Sequence, residues 1–192
     1  MLQTQKLYTD LFRGFVKDRS EYYEALRVAR MNARGKIWVV GGYVFRSLAH
    51  VLYGTSLPES DVDVIVERLR GSLTVPSGWR VTHNRYGNPK FVSGKREVDI
   101  IPMGNILSIL RRRLPATIEH FATGTPLTIQ SIAYDVDEQR IIGEIGMRAI
   151  MNRMIAINDP VQARLYAERK EKSIKKIIRE KAESLNFEPI YP

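Results

Sequence analysis

Asp61 and Asp63 stand two residues apart in Asp61-Val62-Asp63-Val64-Ile65-Val66-Glu67, and a third aspartate, Asp99, sits in Arg96-Glu97-Val98-Asp99-Ile100-Ile101-Pro102. Residues at i and i+2 of an extended strand share a face, so Asp61 and Asp63 converge, as do Glu97 and Asp99. Several carboxylate oxygens aimed at one spot suit a hard divalent cation, and an all-oxygen set without Cys or nearby His points to Mg²⁺. A pair of such ions about 3.5–4 Å apart can activate an attacking hydroxyl and steady a triphosphate with its leaving group. Nucleotidyl transfer asks little else of a protein, because positioning and charge neutralisation carry it. Asp61, Asp63 and Asp99 are therefore the expected catalytic and metal-ligating residues, with Glu97 a rival to Asp99 as third ligand.

The phosphates need a cradle, and Gly41-Gly42 follows the apolar run Ile37-Trp38-Val39-Val40. Without side chains the backbone can approach a phosphate closely, and a helix starting there offers its free N–H groups. Arg46 falls on the first turn of that helix and could reach a phosphate. Gly41, Gly42 and Arg46 are the expected nucleotide-binding residues.

The elements that must hold these groups are readable from periodicity. Residues 37–40 and 61–67 are expected strands, with a helix over 43–53 and a loop over 54–60 between them. Short strands are expected at 79–84, 90–93 and 96–102, then helices at 105–113 and 116–121. Strands follow at 127–135 and 140–142, a short helix at 147–151, and a strand at 154–157. Ahead of all these, Leu7, Leu11, Phe12 and Phe15 suggest a helix interrupted at Gly14, and Asp18 with Glu21 resembles a capping box opening a second one to Arg30. Behind them, Asp159 as cap and Pro160 in the first turn open a long basic helix to about Leu185. The division expected is an N-terminal helical segment (1–34), a mixed α/β, or α+β, catalytic domain (35–158), and a basic C-terminal helix (159–192).

The whole chain fits that reading. Its 192 residues carry 30 Lys and Arg against 21 Asp and Glu, a net charge of +9, which favours polyanionic partners and nucleic acid above all. From Arg164 to Glu183 eight basic residues face four acidic ones. No cysteine is present, so neither disulfides nor thiolate metal sites arise. No apolar run approaches the roughly 20 residues that span a bilayer, and no signal pattern opens the chain, so a cytoplasmic protein without membrane contact is expected.

Val39-Val40-Gly41-Gly42-Tyr43-Val44, followed by Ser60-Asp61-Val62-Asp63-Val64, resembles the signature of the DNA polymerase beta-type nucleotidyltransferase superfamily. The Gly-Gly form is most similar to the head domain of CCA-adding enzymes and bacterial poly(A) polymerases. Leu127-Thr128-Ile129-Gln130-Ser131-Ile132-Ala133-Tyr134-Asp135 is similar to that family's Phe-Thr-Ile-Asn-Ala-Leu-Ala-Tyr-Asp strand, and Asn152-Arg153-Met154-Ile155 to Asp159-Pro160 to the segment closing its head domain. Residues 37 to 160 are covered. The resemblance implies a small mixed β-sheet flanked by helices, two Mg²⁺ ions, an NTP substrate such as ATP, and template-independent nucleotide addition to a hydroxyl, often an RNA 3′ end as in tRNA. It makes Asp99, with Ile100-Ile101 beyond it, the better counterpart of the family's third carboxylate. The chain departs from the pattern at Phe45-Arg46-Ser47, where the family has Arg-Asp on the helix, and at Gly124-Thr125-Pro126, where it carries Arg-Arg-Asp.

Other acceptors, a protein or a small molecule, fit the same chemistry, and a retired RNA-binding module is the non-enzymatic alternative. A homodimer or a partner protein would add RNA-binding surface. Arg111-Arg112-Arg113 reads first as a basic helix end complementing its dipole, Lys90, Lys95 and Arg96 as hairpin cations, and Asp135, Asp137 and Glu138 as turn residues.

Overall fold

The computed structural model describes residues 2–57 and 61–191. Ser60, the residue leading the Asp-x-Asp motif, and the end of the loop expected over 54–60 lie outside the described residues.

Two helices open the chain, α1 (Leu2–Val16) and α2 (Ser20–Asn32). α1 runs unbroken through Gly14, and its buried stripe is Tyr8, Phe12 and Val16, while Leu7 is exposed. The expected capping box does not form: Arg19 is the N-cap of α2 and its side chain makes no cap bond. The chain then enters β1 (Ala33–Val40), turns at Gly41 into α3 (Gly42–Tyr53), and returns through β2 (Val62–Leu69). A hairpin, β3 (Arg80–His83) and β4 (Pro89–Ser93), leads to β5 (Arg96–Pro102). Short helices α4 (Leu107–Arg112) and α5 (Ile118–Ala122) follow, then β6 (Ala133–Asp135), β7 (Arg140–Ile142), α6 (Glu144–Met151) and β8 (Met154–Ile155). Helices α7 (Pro160–Lys170) and α8 (Ile174–Leu185) and strand β9 (Glu188–Pro189) end it.

Seven strands form one sheet in the order β3-β4-β5-β2-β1-β6-β7, antiparallel except for the β2–β5 pair. β1 explains why its sequence is apolar without alternation. Ile37 and Val39 enter the main core beneath α1–α3, whereas Trp38 and Val40 enter a second cluster on the opposite face with Ile65, Ile109 and Ile118. The second cluster, capped by α4 and α5, covers only part of its face. Asp63 and Asp99 continue the same alternation beyond its edge. Trp38 Nε1 donates to Asp135 Oδ2 (2.9 Å), and Asp135 Oδ1 accepts from the amides of Asp137 and Glu138 (3.0 and 2.9 Å), so these acidic residues are turn chemistry as expected.

Two further expectations need correction. The β-rich segment 127–135 is a strand only at its end. Leu127 makes a single bridge to Ile157, and 128–130 form a 3₁₀ turn. Side chains take up the backbone here: Thr128 Oγ1 bonds the Ala156 carbonyl and amide, and Thr125 Oγ1 meets Ser131 Oγ at 2.6 Å. Gly143 and Gly146 then let α6 start against the Ser131 carbonyl, where a Cβ on Gly146 would stand 2.6 Å from that oxygen. Likewise the long C-terminal helix is two. Asp159 caps α7 by accepting from the Gln162 amide, and Pro160 opens it, but Glu171 turns left-handed (φ 52°) and Ser173 caps α8 by accepting from the Lys176 amide. The stripe Ile177, Ile178, Ala182 and Leu185 is thereby turned back into the main core. No described helix is long and apolar enough to cross a membrane.

Candidate active site

Asp63 and Asp99 face each other across the parallel β2–β5 pair, and Val40 is the partner of Asp63 on the other side. Val40 hands directly to Gly41 at φ 72°, ψ −147°, a conformation only glycine adopts freely. A Cβ on Gly41 would stand 2.7 Å from Asp63 Oδ2, so glycine is also what lets the turn lie against the carboxylate. Gly41 is the N-cap of α3, which has no side-chain cap and no acid in its first turn. Its leading amides are therefore available to an anion beside two carboxylates that would hold a cation.

Around them lies a cleft of about 590 Å³ that includes Gly41, Asp63, Asp99, Arg111, Tyr166 and Arg169 in its walls. Its rim is the β3–β4 turn. Asn84 Oδ1 accepts from the amides of Tyr86 (2.9 Å) and Asn88 (3.2 Å), while Asn84 Nδ2 donates to Asp99 Oδ1 at 3.3 Å. Arg169 of α7 donates to the Tyr86 hydroxyl at 3.1 Å, closing the cleft from the C-terminal side. No motif announced Asn84, Tyr86, Tyr166 or Arg169. The only signal was the basic character of the segment after Arg164.

The acidic charge is under-compensated. Burial, then the charges of Asp99 and Asp61, push the Asp63 carboxyl up to about 7 against the pull of Lys90. Burial also raises Asp99, with Lys90 and the Asn84 hydrogen bond opposing. Lys90, cross-strand to Asp99, pairs with Glu97 and stands 3.9 Å from Asp99 Oδ2. Glu97 is held below the usual carboxylate range, chiefly by its bond from Lys90. Glu97 is bonded to Lys90, and Asp99 is the residue in register with Asp63.

Asp61 precedes β2 by one residue and lines an adjoining hollow of about 550 Å³ with Trp79, Lys95 and Glu97. It remains close enough to raise Asp63 electrostatically. Among the described residues, no three His, Cys, Asp or Glu side chains form a ready-made metal cluster. The donor set that is present, two facing carboxylates with a third beside them, fits Mg²⁺, which is commonly held by one or two carboxylates together with water and substrate phosphates. Arg46 does not line the cleft. It turns from α3 toward α7 and α8 into a separate cavity with Lys170 and Lys181. The Arg111–Arg113 run divides: Arg111 reaches the cleft and Gln162, Arg112 bonds the Ser108 and His120 carbonyls, and Arg113 ends α4 at φ 52°.

No protein-family model and no curated protein matches the chain. Solved structures do. The Bacillus stearothermophilus CCA-adding enzyme in complex with CTP is similar with a TM-score of 0.56 at 18% identity, over 90% of this chain and 41% of that one. A tRNA-processing enzyme (apo form I) gives 0.54 at 20%, over 90% and 44%. A tRNA nucleotidyltransferase complexed with a primer tRNA and an incoming ATP analog gives 0.52 at 19%, over 81% and 43%. The chain spans less than half the length of each of these proteins. At this identity the likeness concerns architecture, and it establishes that the chain has a nucleotidyltransferase-like fold.

Proposed function

We propose that this protein is a template-independent, Mg²⁺-dependent nucleotidyltransferase that moves a nucleoside monophosphate from an NTP to a hydroxyl, with an RNA 3′ end as acceptor. The observation that carries the reading is the Asp63–Asp99 pair, in register across two parallel strands and pressed against the Gly41 turn at the start of α3. Opposite demands meet there: carboxylates for a cation, and helix amides for the phosphates that the cation accompanies. In the reaction the acceptor oxygen bonds to the α-phosphorus, the bond from that phosphorus to the bridging oxygen breaks, and pyrophosphate leaves with the electron pair. The proton of the hydroxyl passes to solvent.

Bound Mg²⁺ would neutralise the triphosphate and acidify the hydroxyl. Asp63 and Asp99 would hold it, with Asp61 beside them. The Gly41-Gly42 backbone receives phosphate oxygens, and Arg111 and Arg169 add positive charge to the cleft wall. The +9 net charge and the tRNA named with one structural neighbour support RNA as acceptor.

The test is incubation of the protein with Mg²⁺, each α-labelled NTP in turn, and cellular RNA, beside Asp63→Ala. Label entering RNA with the wild type and not with the variant is the expected result. Label entering protein or an aminoglycoside instead would replace the acceptor, and label entering nothing would overturn enzymatic function.

A further inference from the structure

Behind Tyr166, on the side away from the carboxylates, α3, α7 and α8 enclose a second cavity of about 260 Å³. Four cations line it, and three of them, Arg46, Lys170 and Lys181, come from three different helices. None of the three is in an ion pair among the described residues. The one carboxylate in the wall, Glu180, is bound by Lys172 at 2.7 and 3.0 Å. Lys181 lies with its ammonium 5.2 Å from the centre of the buried Phe45 ring, and the Arg46 guanidinium lies 6.0 Å from the same ring. Like charges gathered on an apolar floor repel one another. Folding alone gives no reason to collect them, since a surface lysine normally extends into water.

We propose that this cavity is a phosphate site for the acceptor strand, in which Arg46, Lys170 and Lys181 together hold one backbone phosphate of a nucleic acid whose end lies in the cleft. The chemistry of the walls selects a phosphate. Converging ammonium and guanidinium groups complement an oxyanion, and Ser184 adds a hydroxyl donor at the wall. Placement selects the strand. Tyr166 lines both the cleft and the cavity, and the consecutive residues Arg169 and Lys170 divide between them. A cationic path therefore runs from Arg111 and Arg169 in the cleft, past Tyr166, to Lys170, Lys181 and Arg46. Gly41, Asp63 and Asp99 line the cleft and not the cavity. Burial, and after it the charges of Arg46 and Lys170, lower the Lys181 ammonium to about 8. An anion arriving there would relieve both like-charge contacts.

The inference rests on the nucleotidyl-transfer reading only for the choice of strand, so the experiment is binding without NTP or metal. A labelled single-stranded RNA dodecamer is titrated in EDTA against wild type, Lys181→Met, Lys170→Met and Lys181→Arg, across a series of KCl concentrations. Methionine keeps an aliphatic stem on Phe45, and thermal melts verify that each variant is folded. Each methionine variant is expected to weaken RNA binding by about three- to tenfold and to flatten the logarithmic salt slope by a fraction of the ~0.7 that one single-strand phosphate contact contributes. Lys181→Arg restores both. Affinity for ATP with Mg²⁺, measured separately, stays within about twofold. Unchanged RNA affinity and slope in both methionine variants would overturn the proposal. So would a loss confined to ATP, which would assign the cavity to the nucleotide. RNA that binds as expected and is never extended would instead overturn the transfer reading and leave this one standing.

Discussion

Two hollows flank Tyr166: one holds the facing carboxylates Asp63 and Asp99 beside Arg111 and Arg169, and the other is lined by four cations and one carboxylate. Outside the two hollows several charges are paired locally: Arg148 with Glu144, Arg140 with Glu138, Arg96 with Glu24. Such exposed pairs contribute roughly 0–1 kcal/mol and need no ligand to explain them. Asp63 and Asp99 in the cleft, and Asp61 and Glu97 in the hollow beside it, share the influence of Lys90, which is bonded first to Glu97. In the basic cavity Arg46, Lys170 and Lys181 have no acidic partner among the described residues. The contrast teaches where to look for binding. A neutralised charge serves the fold. Like charges that the fold gathers without a counter-charge disfavour the free protein, and a ligand of opposite sign or loss of one charge relieves them.

The sharpest way to break that comparison is to remove charge from the acidic side. Asp63→Asn keeps the shape of the side chain and deletes a metal ligand, so transfer should fall by about a thousandfold or more. Thermal stability should rise by a few degrees, because the amide escapes the burial and repulsion that raise the Asp63 carboxyl. Activity read from label incorporation and stability from a melt would then move in opposite directions. A fall in stability as large as that of a core truncation would show that Asp63 serves packing.

Next in size comes the glycine turn. Gly41→Ala places a Cβ 2.7 Å from Asp63 Oδ2 at a φ of 72°, whereas at Gly42 the nearest atom would be Arg46 Nε at 3.6 Å. Gly41→Ala should therefore lower transfer by roughly ten- to a hundredfold and cost about 1–2 kcal/mol of stability. Gly42→Ala should be much milder in both. Equal effects at the two positions would mean that the turn does not act through the carboxylate.

How much of this was legible beforehand differs by kind of feature. β5 ends where Pro102 stops it and starts after the Gly94-Lys95 turn, so local chemistry marked both limits. Alternation placed Asp63 and Asp99 on strand faces, but their meeting depends on a parallel register between residues 36 positions apart in the chain, which no local pattern encodes. The break at Glu171 was hidden because a non-glycine residue takes the left-handed position and Ser173 interrupts an otherwise helical stripe. At 128–131 the Thr and Ser hydroxyls displace the sheet ladder that the β-branched residues favour. Arg46 was correctly placed on its helix, but the neighbours it meets come from α7 and α8, more than a hundred residues later.

The basic side can be tested in the absence of any ligand, through stability alone. Lys181 has an ammonium lowered to about 8 in the folded protein from an ordinary 10.5. Between those values the unfolded chain binds more protons than the folded one, so stability rises with pH across that window. Below pH 8 the full penalty is present; above 10.5 it is gone. A tenfold change in proton affinity corresponds to ~1.4 kcal/mol, and solvent screening of a half-buried group leaves a penalty on the order of 2 kcal/mol. Lys181→Met should therefore be the more stable protein at pH 7 by about that amount, with the gap closing as pH rises toward 10. Other lysines and tyrosines titrate in the same range, but they are common to both proteins and cancel in the difference. A pH-independent gap would mean that the substitution acts through packing on Phe45. A gap that closes with pH, and closes equally at pH 7 when RNA is added, would show that protons and phosphate relieve the same repulsion.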